Sequence, residues 1–417
     1  LMINTEYLLF YPSVEVGGAE MLFARLADEL ANLGHKVTVL DSEKKIIFKH
    51  IQNEAVELIV VSEGDPVLIK SKYILAFASH IANIARYIHK DSLGRLLFWN
   101  VHPLNGIYLP PIIGEKIFHI GINWLKSVNR FFFQEEDDVR KVALAYLIKN
   151  RAFVCMDGEC SDTLSRYYAG IRIGDYVPVP VPKLSLDVTH DRSISLNDTV
   201  TFLWYGRLCD FKCYGLIYLI KRIASFKNAN SLIKLIIVGD GPYRKTVQKA
   251  LKKFNVEASL LGTLPNKEAL ELIATNADIA FAMGTAALET SALGIPTILA
   301  PASFGPIKNN YRFNWFYNTT HYNLGSFVKS NSNVEGLTIE ELLFELRANF
   351  AKHSNLSSSY VEKNHRMDHV VKLIEYFAAH STMDFSNFAN ITQYKRPFLN
   401  RFSKYCINKF NVLTKIN

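Results

Sequence analysis

Short apolar runs that end in glycine-bearing turns, each followed by apolar residues at helical spacing, recur through this chain, and that alternation restricts it to folds built on parallel sheets. Tyr7 to Tyr11 is such a run, Pro12 to Gly18 is its loop, and Met21, Leu22, Arg25, Leu26, Glu29 and Leu30 follow at helical spacing. Gly34 is placed to close that helix, and Lys36 to Leu40 supplies a β-branched strand. Further apolar runs at Val56 to Val61, Leu96 to Val101 and Ala152 to Met156, alternating with helical patterns such as Tyr73 to Ile88, extend the unit into a parallel sheet.

Tyr176 to Pro182 carries prolines at alternate positions, which makes a stiff, extended connector, and beyond it the alternation restarts. Strands are expected at Val200 to Tyr205, Lys234 to Val238, Ala258 to Leu261, Asp278 to Ala282 and Thr297 to Ala300. The helices between them are expected at Tyr214 to Phe226, Tyr243 to Phe254, Lys267 to Asn276 and Ala286 to Leu293. A last helix is expected at Val361 to Phe377. The expected organisation is therefore a first α/β domain over 1–182, a second over 183–359, and a segment 360–417 made of that helix and a basic tail, which can pack back on the first domain. Two such domains in tandem are expected to place a cleft between the carboxyl ends of their sheets, where ligands of open α/β sheets bind.

A length of 417 residues exceeds what one core usually supports, in keeping with two domains. Five cysteines, with no secretory leader read ahead of them, suit a reducing compartment. Neither Cys155 with Cys160 nor Cys209 with Cys213 has the spacing of a zinc knuckle, and they read as small buried hydrophobes. The net charge of +8 favours anionic partners without choosing among them, and no recognised nucleic-acid module accompanies it. No uncharged apolar run is long enough to span a bilayer.

The richest local signal is Trp204-Tyr205-Gly206-Arg207-Leu208-Cys209-Asp210-Phe211-Lys212, which leaves a strand and enters a helix with two cations five positions apart. Free N–H groups at such a turn, together with Arg207 and Lys212, suit a diphosphate. Four further turns stand at matching places: Val238-Gly239-Asp240-Gly241-Pro242, Leu261-Gly262-Thr263-Leu264-Pro265, Met283-Gly284-Thr285-Ala286-Ala287-Leu288-Glu289 and Gly294-Ile295-Pro296-Thr297. In this order they resemble the C-terminal domain of retaining GT-B glycosyltransferases that use nucleotide sugars, the group 1 or family 4-like enzymes of bacterial surface-polysaccharide biosynthesis. The resemblance covers most of Thr201 to Pro301 and, more thinly, a Gly-Gly-Ala-Glu loop at Gly17 to Glu20.

The resemblance implies two Rossmann-like domains, the first on the acceptor side and the second binding a UDP- or GDP-linked donor. It makes Arg207 and Lys212 the diphosphate clamp and Glu289 the acceptor of the ribose hydroxyls. Gly284, Thr285 and Ala286 would face sugar and phosphates through their backbone, and Thr263 and Leu264 would border the base. Gly17 and Gly18 would approach the donor phosphates and acceptor, and His102, just beyond the run Leu96 to Val101, would contact the donor sugar. No metal or cofactor is implied, and the acceptor would be a glycan or a lipid-linked glycan. One departure stands out: the family's second glutamate, eight positions before Glu289, falls here on Phe281.

Burial of an ionised Glu289 on a helix written in Ala, Leu and Thr is costly without hydroxyl partners. Glu135 to Asp138, a run of acids, reads as a solvated face rather than a metal site. Asp41 ends the second strand where a dinucleotide ribose would bind, but Gly17-Gly18-Ala19-Glu20 is not the G-x-G-x-x-G turn of a nicotinamide-dependent dehydrogenase. A GT-B nucleotide-sugar epimerase and a catalytically weak GT-B binding subunit remain as alternatives. Two stretches have interfacial composition: Lys116 to Phe133, and the tail from Lys395, where cations interleave with Phe398, Phe402, Tyr405 and Phe410. They give the expectation of a cytoplasmic protein peripheral to an anionic membrane.

Overall fold

A computed structural model of the chain describes residues 5–14, 17–110, 122–182, 184, 193–195, 198–226, 233–308, 310–328 and 336–392. The chain divides into two compact units, one of Leu1–Val179 with Met367–Asn417, the other of Pro180–Arg366.

The first unit opens with β1 (Glu6–Phe10), α1 (Gly18–Asn32) and β2 (Lys36–Asp41). Gly34, with φ +86°, ends α1 in the left-handed conformation, and the His35 N–H returns to the Leu30 carbonyl at 3.1 Å. Next come β3 (Glu57–Val60), β4 (Tyr73–Phe77) and β5 (Arg95–Asn100). Helices α2 (Ile122–Phe132) and α3 (Gln134–Lys149) precede β6 (Phe153–Cys155), and α4 (Gly158–Tyr167) follows it. The six strands form one parallel sheet in the order β3-β2-β1-β4-β5-β6, the doubly wound arrangement in which strand order reverses between β1 and β4. The proline connector begins by pairing with β6, where the Val177 N–H donates to the Cys155 carbonyl at 2.9 Å.

The second unit runs β7 (Val200–Tyr205), α5 (Asp210–Phe226), β8 (Ile233–Val238), α6 (Arg244–Phe254) and β9 (Ala258–Gly262). It continues through α7 (Asn266–Asn276), β10 (Ile279–Ala282), α8 (Thr285–Ala292) and β11 (Thr297–Leu299) to α9 (Ile339–Ala348) and α10 (Phe350–His365). Its parallel sheet has the order β11-β10-β7-β8-β9, so the reversal falls between β7 and β10. The chain then returns to the first unit as α11 (Met367–His380) and α12 (Phe385–Thr392). Phe385, Phe388 and Ala389 of α12 are buried in the same core as Leu8, Phe98 and Leu144.

Two expected helices are corrected. Tyr73 to Ile88 is not a helix: Tyr73–Phe77 is the central strand β4, followed by 3-10 turns at Ala78–His80 and Ile84–Arg86. A strand buried on both faces has no alternation, so its continuous apolar run also fits a helical template. Val361 to Phe377 is two helices, because Arg366 is extended (φ −69°, ψ 145°) between α10 and α11. No helix among the described residues is long and apolar enough to cross a membrane.

Candidate functional site

The switch point of the second sheet brings two turns together, since Tyr205 at the end of β7 pairs with Ala282 at the end of β10. The β7 turn is pinned from below. The Trp204 indole N–H donates to the Gly206 carbonyl at 3.0 Å, and the Leu208 N–H donates to the Asp240 carbonyl at 2.9 Å. The Tyr243 N–H donates in turn to the Leu208 carbonyl at 3.1 Å. Gly239 and Gly241 make that stitching feasible: with φ of +130° and +156°, a Cβ on either would collide with the carbonyl of Gly206 or Leu208. The Gly-Asp-Gly-Pro turn thus holds the Arg207 loop in shape, and Pro242 lies in the turn ahead of α6, whose first residue is Arg244.

On this platform Arg207 is exposed and Lys212 half-buried. Neither has an ion-pair partner among the described residues. Burial, reinforced by the charge of Arg207, holds the Lys212 pKa below the ordinary lysine value, while Cys209 works in the opposite direction. Two cations are therefore kept close with no anion between them, an arrangement that favours an anionic guest.

The β10 turn faces the same edge. Only Met283 and Gly284 separate β10 from α8, and Gly284, the N-cap residue, has φ +65° and ψ −143°. Its carbonyl accepts from Ala287 and Leu288, while the N–H groups of Thr285 and Ala286 have no partner among the described residues. They are donors at a helix N-terminus beside the cationic turn. One turn along α8, the Glu289 side chain is buried, the residue being only 7% exposed. The Tyr205 hydroxyl donates to its carboxylate, which raises the tyrosine's pKa in addition to the larger effect of burial. The Asn266 amide approaches Oε1 at 3.4 Å. At this burial Glu289 is not a solvated helix glutamate. Thr263 is exposed just beyond β9, and Leu264 packs with Tyr205 on one small cluster.

Phe281 lies inside β10 and is fully buried, its ring 5.8 Å from Trp204 and 5.7 Å from Phe313. The position that would carry the family's second glutamate is thus a core strand position, and the side chain there cannot face a ligand.

Gly17, Gly18 and His102 belong to the first unit. Gly17 is the N-cap of α1, and a Cβ there would stand 2.9 Å from Oε2 of Glu20, whereas Gly18 has open space around it. Glu20 is buried, accepts from the Ser13 hydroxyl at 2.6 Å, and receives the Tyr11 hydroxyl, whose pKa is pushed up to about 12 by burial and then by Glu20. His102 follows the end of β5. Its Nδ1 accepts from the Leu104 N–H at 3.2 Å, which puts the proton of the neutral ring on Nε2. The protein packed around the imidazole lowers its pKa by desolvation, although the side chain keeps solvent-accessible surface.

One reading from sequence changes here, and the position of Asp41 is accounted for. The acidic run is not a solvated face throughout: Glu136 is buried, and Asp137 accepts from the hydroxyls of Tyr167 (3.0 Å) and Tyr168 (2.9 Å) because the first turn of α3 points both toward the protein. Asp41 is fully buried, and its carboxylate accepts from the N–H groups of Ser42, Ile47 and Phe48 at 2.7, 2.7 and 3.1 Å, so it closes its own loop. Sequence reasoning missed Tyr205 and Asn266 as partners of Glu289. The one available signal was a tyrosine ending an otherwise apolar strand. Among the described residues no group of three or more His, Cys, Asp or Glu side chains could hold a metal ion.

Residues 189–308 match the family described as Glycosyl transferases group 1. No curated protein matches the chain in sequence. Among solved structures, the chain is similar to a glycosyltransferase from Rickettsia africae, with 12% identity and a TM-score of 0.53 over 91% of this chain and 99% of that one. AviGT4, a glycosyltransferase involved in avilamycin A biosynthesis, gives 12% identity and 0.51 over 90% and 98%. TarM of S. aureus, in complex with fondaparinux, α-GlcNAc-glycerol and UDP, gives 9% identity and 0.51 over 90% and 100%. At these identities the structural likeness establishes the fold, and the matched segment contains the β7 and β10 turns. The segment 189–308 thus resembles the group 1 glycosyltransferases in sequence, and the chain as a whole has the GT-B fold of the glycosyltransferases it is similar to in structure.

Proposed function

We propose that the second unit binds a UDP- or GDP-linked sugar and that the enzyme transfers this sugar, with retention of anomeric configuration, to a glycan or lipid-linked acceptor in surface-polysaccharide assembly. The observation that carries the donor part is the convergence at one switch point of Arg207, Lys212, the N–H groups of Thr285 and Ala286, which have no partner among the described residues, and buried Glu289. Arg207 and Lys212 take the diphosphate and stabilise the charge that grows on it as the glycosidic bond breaks. Glu289 exchanges Asn266 or Tyr205 for ribose hydroxyls, Thr263 and Leu264 border the base, and the backbone from Gly284 to Ala286 faces phosphate and sugar. His102, neutral with its proton on Nε2, acts as a hydrogen-bond donor to the donor sugar, and Gly17 and Gly18 admit the phosphates and acceptor. The UDP found with the TarM relative supports a uridine nucleotide. No cofactor or metal is required by this scheme. Retention and the polysaccharide pathway rest on family resemblance. A thermal-shift screen of nucleotides and nucleotide sugars tests the donor reading: stabilisation by UDP, GDP or one of their sugars supports it, and no stabilisation by any of them removes it.

The same reading places the enzyme at the cytoplasmic face of a membrane. On α2, Trp124, Phe131 and Phe132 are 43%, 81% and 66% exposed beside exposed Lys126 and Arg130, a combination suited to an anionic interface. Lys116 to Gly121 and the basic tail from Lys395 lie outside the described residues. Co-sedimentation with anionic liposomes at low and high salt is expected to show salt-sensitive binding that weakens in Trp124→Ser/Phe131→Ser; a protein that stays in the supernatant at low salt removes the membrane role.

A further inference from the structure

A cavity of about 610 Å³ opens in the second unit where the 3-10 turn Phe316–Asn318 meets α9 and α10, and none of the residues lining it belongs to the donor turns. It lies off the β11 edge of the sheet, since Trp315 of its wall bridges to Ile298 of β11. That wall is held in place by bonds within the unit. Trp315 is buried and gives its indole N–H to Glu345 Oε2 at 2.8 Å, and its ring lies nearly parallel to that of Tyr317, with centroids 5.9 Å apart. The Tyr317 hydroxyl is in turn 2.7 Å from His353 Nδ1.

The lining is apolar in places where packing does not require it. Helix α9 already buries Ile339, Leu342, Leu343 and Leu346, a complete helical stripe, yet Phe344 stands off that stripe and is 75% exposed. Leu356 of α10, also exposed, borders the same cavity. Beside these apolar groups the lining carries a carboxylate and an amide with bonding capacity to spare. Glu345 Oε1 accepts no hydrogen bond from the described residues, and the Asn349 side chain spends its oxygen on the Lys352 N–H at 2.9 Å while its amide N–H groups have no partner among them. An apolar occupant would strip water from that carboxylate and amide without replacing its hydrogen bonds. A phosphate would meet the Glu345 carboxylate, with Lys352 alone of the lining residues to attract it. A sugar ring suits both kinds of wall: its C–H face packs on an aromatic ring, and its hydroxyls donate to a carboxylate and accept from an amide.

We infer that this cavity is a carbohydrate-binding site of the second unit, separate from the donor turns, that holds a sugar unit of the acceptor glycan. The inference rests on the reading of this chain as a transferase with a glycan or lipid-linked glycan acceptor. Two of the chain's four tryptophans report on the two sites, Trp204 through its indole bond to Gly206 in the donor turn and Trp315 through its bond to Glu345 at the cavity. In full-length protein labelled at the indole nitrogens, the resonances are identified by replacing the tryptophans one at a time with phenylalanine. The methyl glycosides of glucose, galactose, mannose, rhamnose and N-acetylglucosamine are titrated in turn, and UDP and GDP separately. The expected result is that at least one glycoside shifts Trp315 saturably, and that Phe344→Ser, a change at a largely exposed ring, weakens that binding about 3–10-fold. If no glycoside moves Trp315, or one binds Phe344→Ser as tightly as wild type, the carbohydrate site is overturned, while a Trp204 shift with nucleotide keeps the donor reading. If Trp204 ignores both nucleotides while Trp315 answers a glycoside in the Phe344-dependent way, the donor reading fails and the carbohydrate site survives.

Discussion

Lys212→Met removes a charge whose effect on folding and on donor binding should have opposite signs. Without ligand, Lys212 is half-buried, has no ion-pair partner among the described residues, and has Arg207 as a like-charged neighbour. Its pKa is held below the ordinary lysine value by burial, so the folded state disfavours the charged form that prevails at neutral pH. The unfolded chain binds the proton more tightly, and this penalty is relieved as pH rises through the folded pKa toward the unfolded one. A methionine of similar length keeps the apolar contacts and discards the penalty, so the free protein should be as stable as wild type or slightly more so. With donor bound, the same change deletes a charge-assisted hydrogen bond worth roughly 1.5–3 kcal/mol, which weakens nucleotide affinity by about 10–150-fold. Because stabilisation by ligand follows the ratio of its concentration to Kd, the nucleotide-induced stabilisation should fall by that same energy at saturating ligand. Turnover should fall further, by about 100–1000-fold, because the interaction strengthens as the diphosphate departs. Thermal unfolding of both proteins with and without UDP and GDP reads both effects. A variant that loses several degrees of Tm in free form yet keeps the full nucleotide shift would show that Lys212 is a packing residue.

Glu289→Gln keeps the shape but weakens acceptance from hydroxyls, so KM or Kd for the donor should rise about tenfold with kcat little changed, as measured by steady-state kinetics; an unchanged KM would return Glu289 to a purely structural role with Tyr205. His102→Ala should lower turnover rather than stability, and near-normal turnover would remove His102 from the site. Gly239→Ala forces a side chain into a glycine-only conformation against the Gly206 carbonyl and should cost about 2–4 kcal/mol in denaturant unfolding, with a cost below 1 kcal/mol contradicting the stitched turn. His80, with a folded pKa near 4 against an ordinary 6.5, binds its proton less tightly folded than unfolded, so its contribution to stability is present above pH 6.5 and lost as pH falls toward 4. His80→Gln should flatten the stability profile in that window, and an unchanged slope would mean the histidine is not held neutral.

The second unit was legible from sequence because β7, β8, β9 and β10 each end in a glycine turn and the helix after each begins within a few residues of it. The strand Val200 to Tyr205 and the helix expected at Ala286 to Leu293, observed as Thr285–Ala292, needed no tertiary information to be recognised. In the first unit Tyr73–Phe77 has no such punctuation, and a run buried on both faces carries no period to separate strand from helix. The break at Arg366 was invisible because no proline or glycine marks it; it arises where the chain leaves one unit for the other. The apolar setting of Glu289 pointed to burial, but its partners Tyr205 and Asn266 come from β7 and α7, and contacts between distant segments leave no mark on local spacing. Phe281 could be aligned against a ligand-facing glutamate on paper, and only the short β10 turn shows that the position belongs to the core.

Isothermal titration of UDP and of GDP into the wild-type protein and into an Arg207→Ala/Lys212→Ala variant addresses the central claim most directly. The account predicts that one of the two nucleotides binds wild type at one site per chain, and that the double variant, still folded by circular dichroism, binds it about 100-fold more weakly or worse. Binding of equal strength by the folded double variant, or no binding of either nucleotide to wild type, would contradict it.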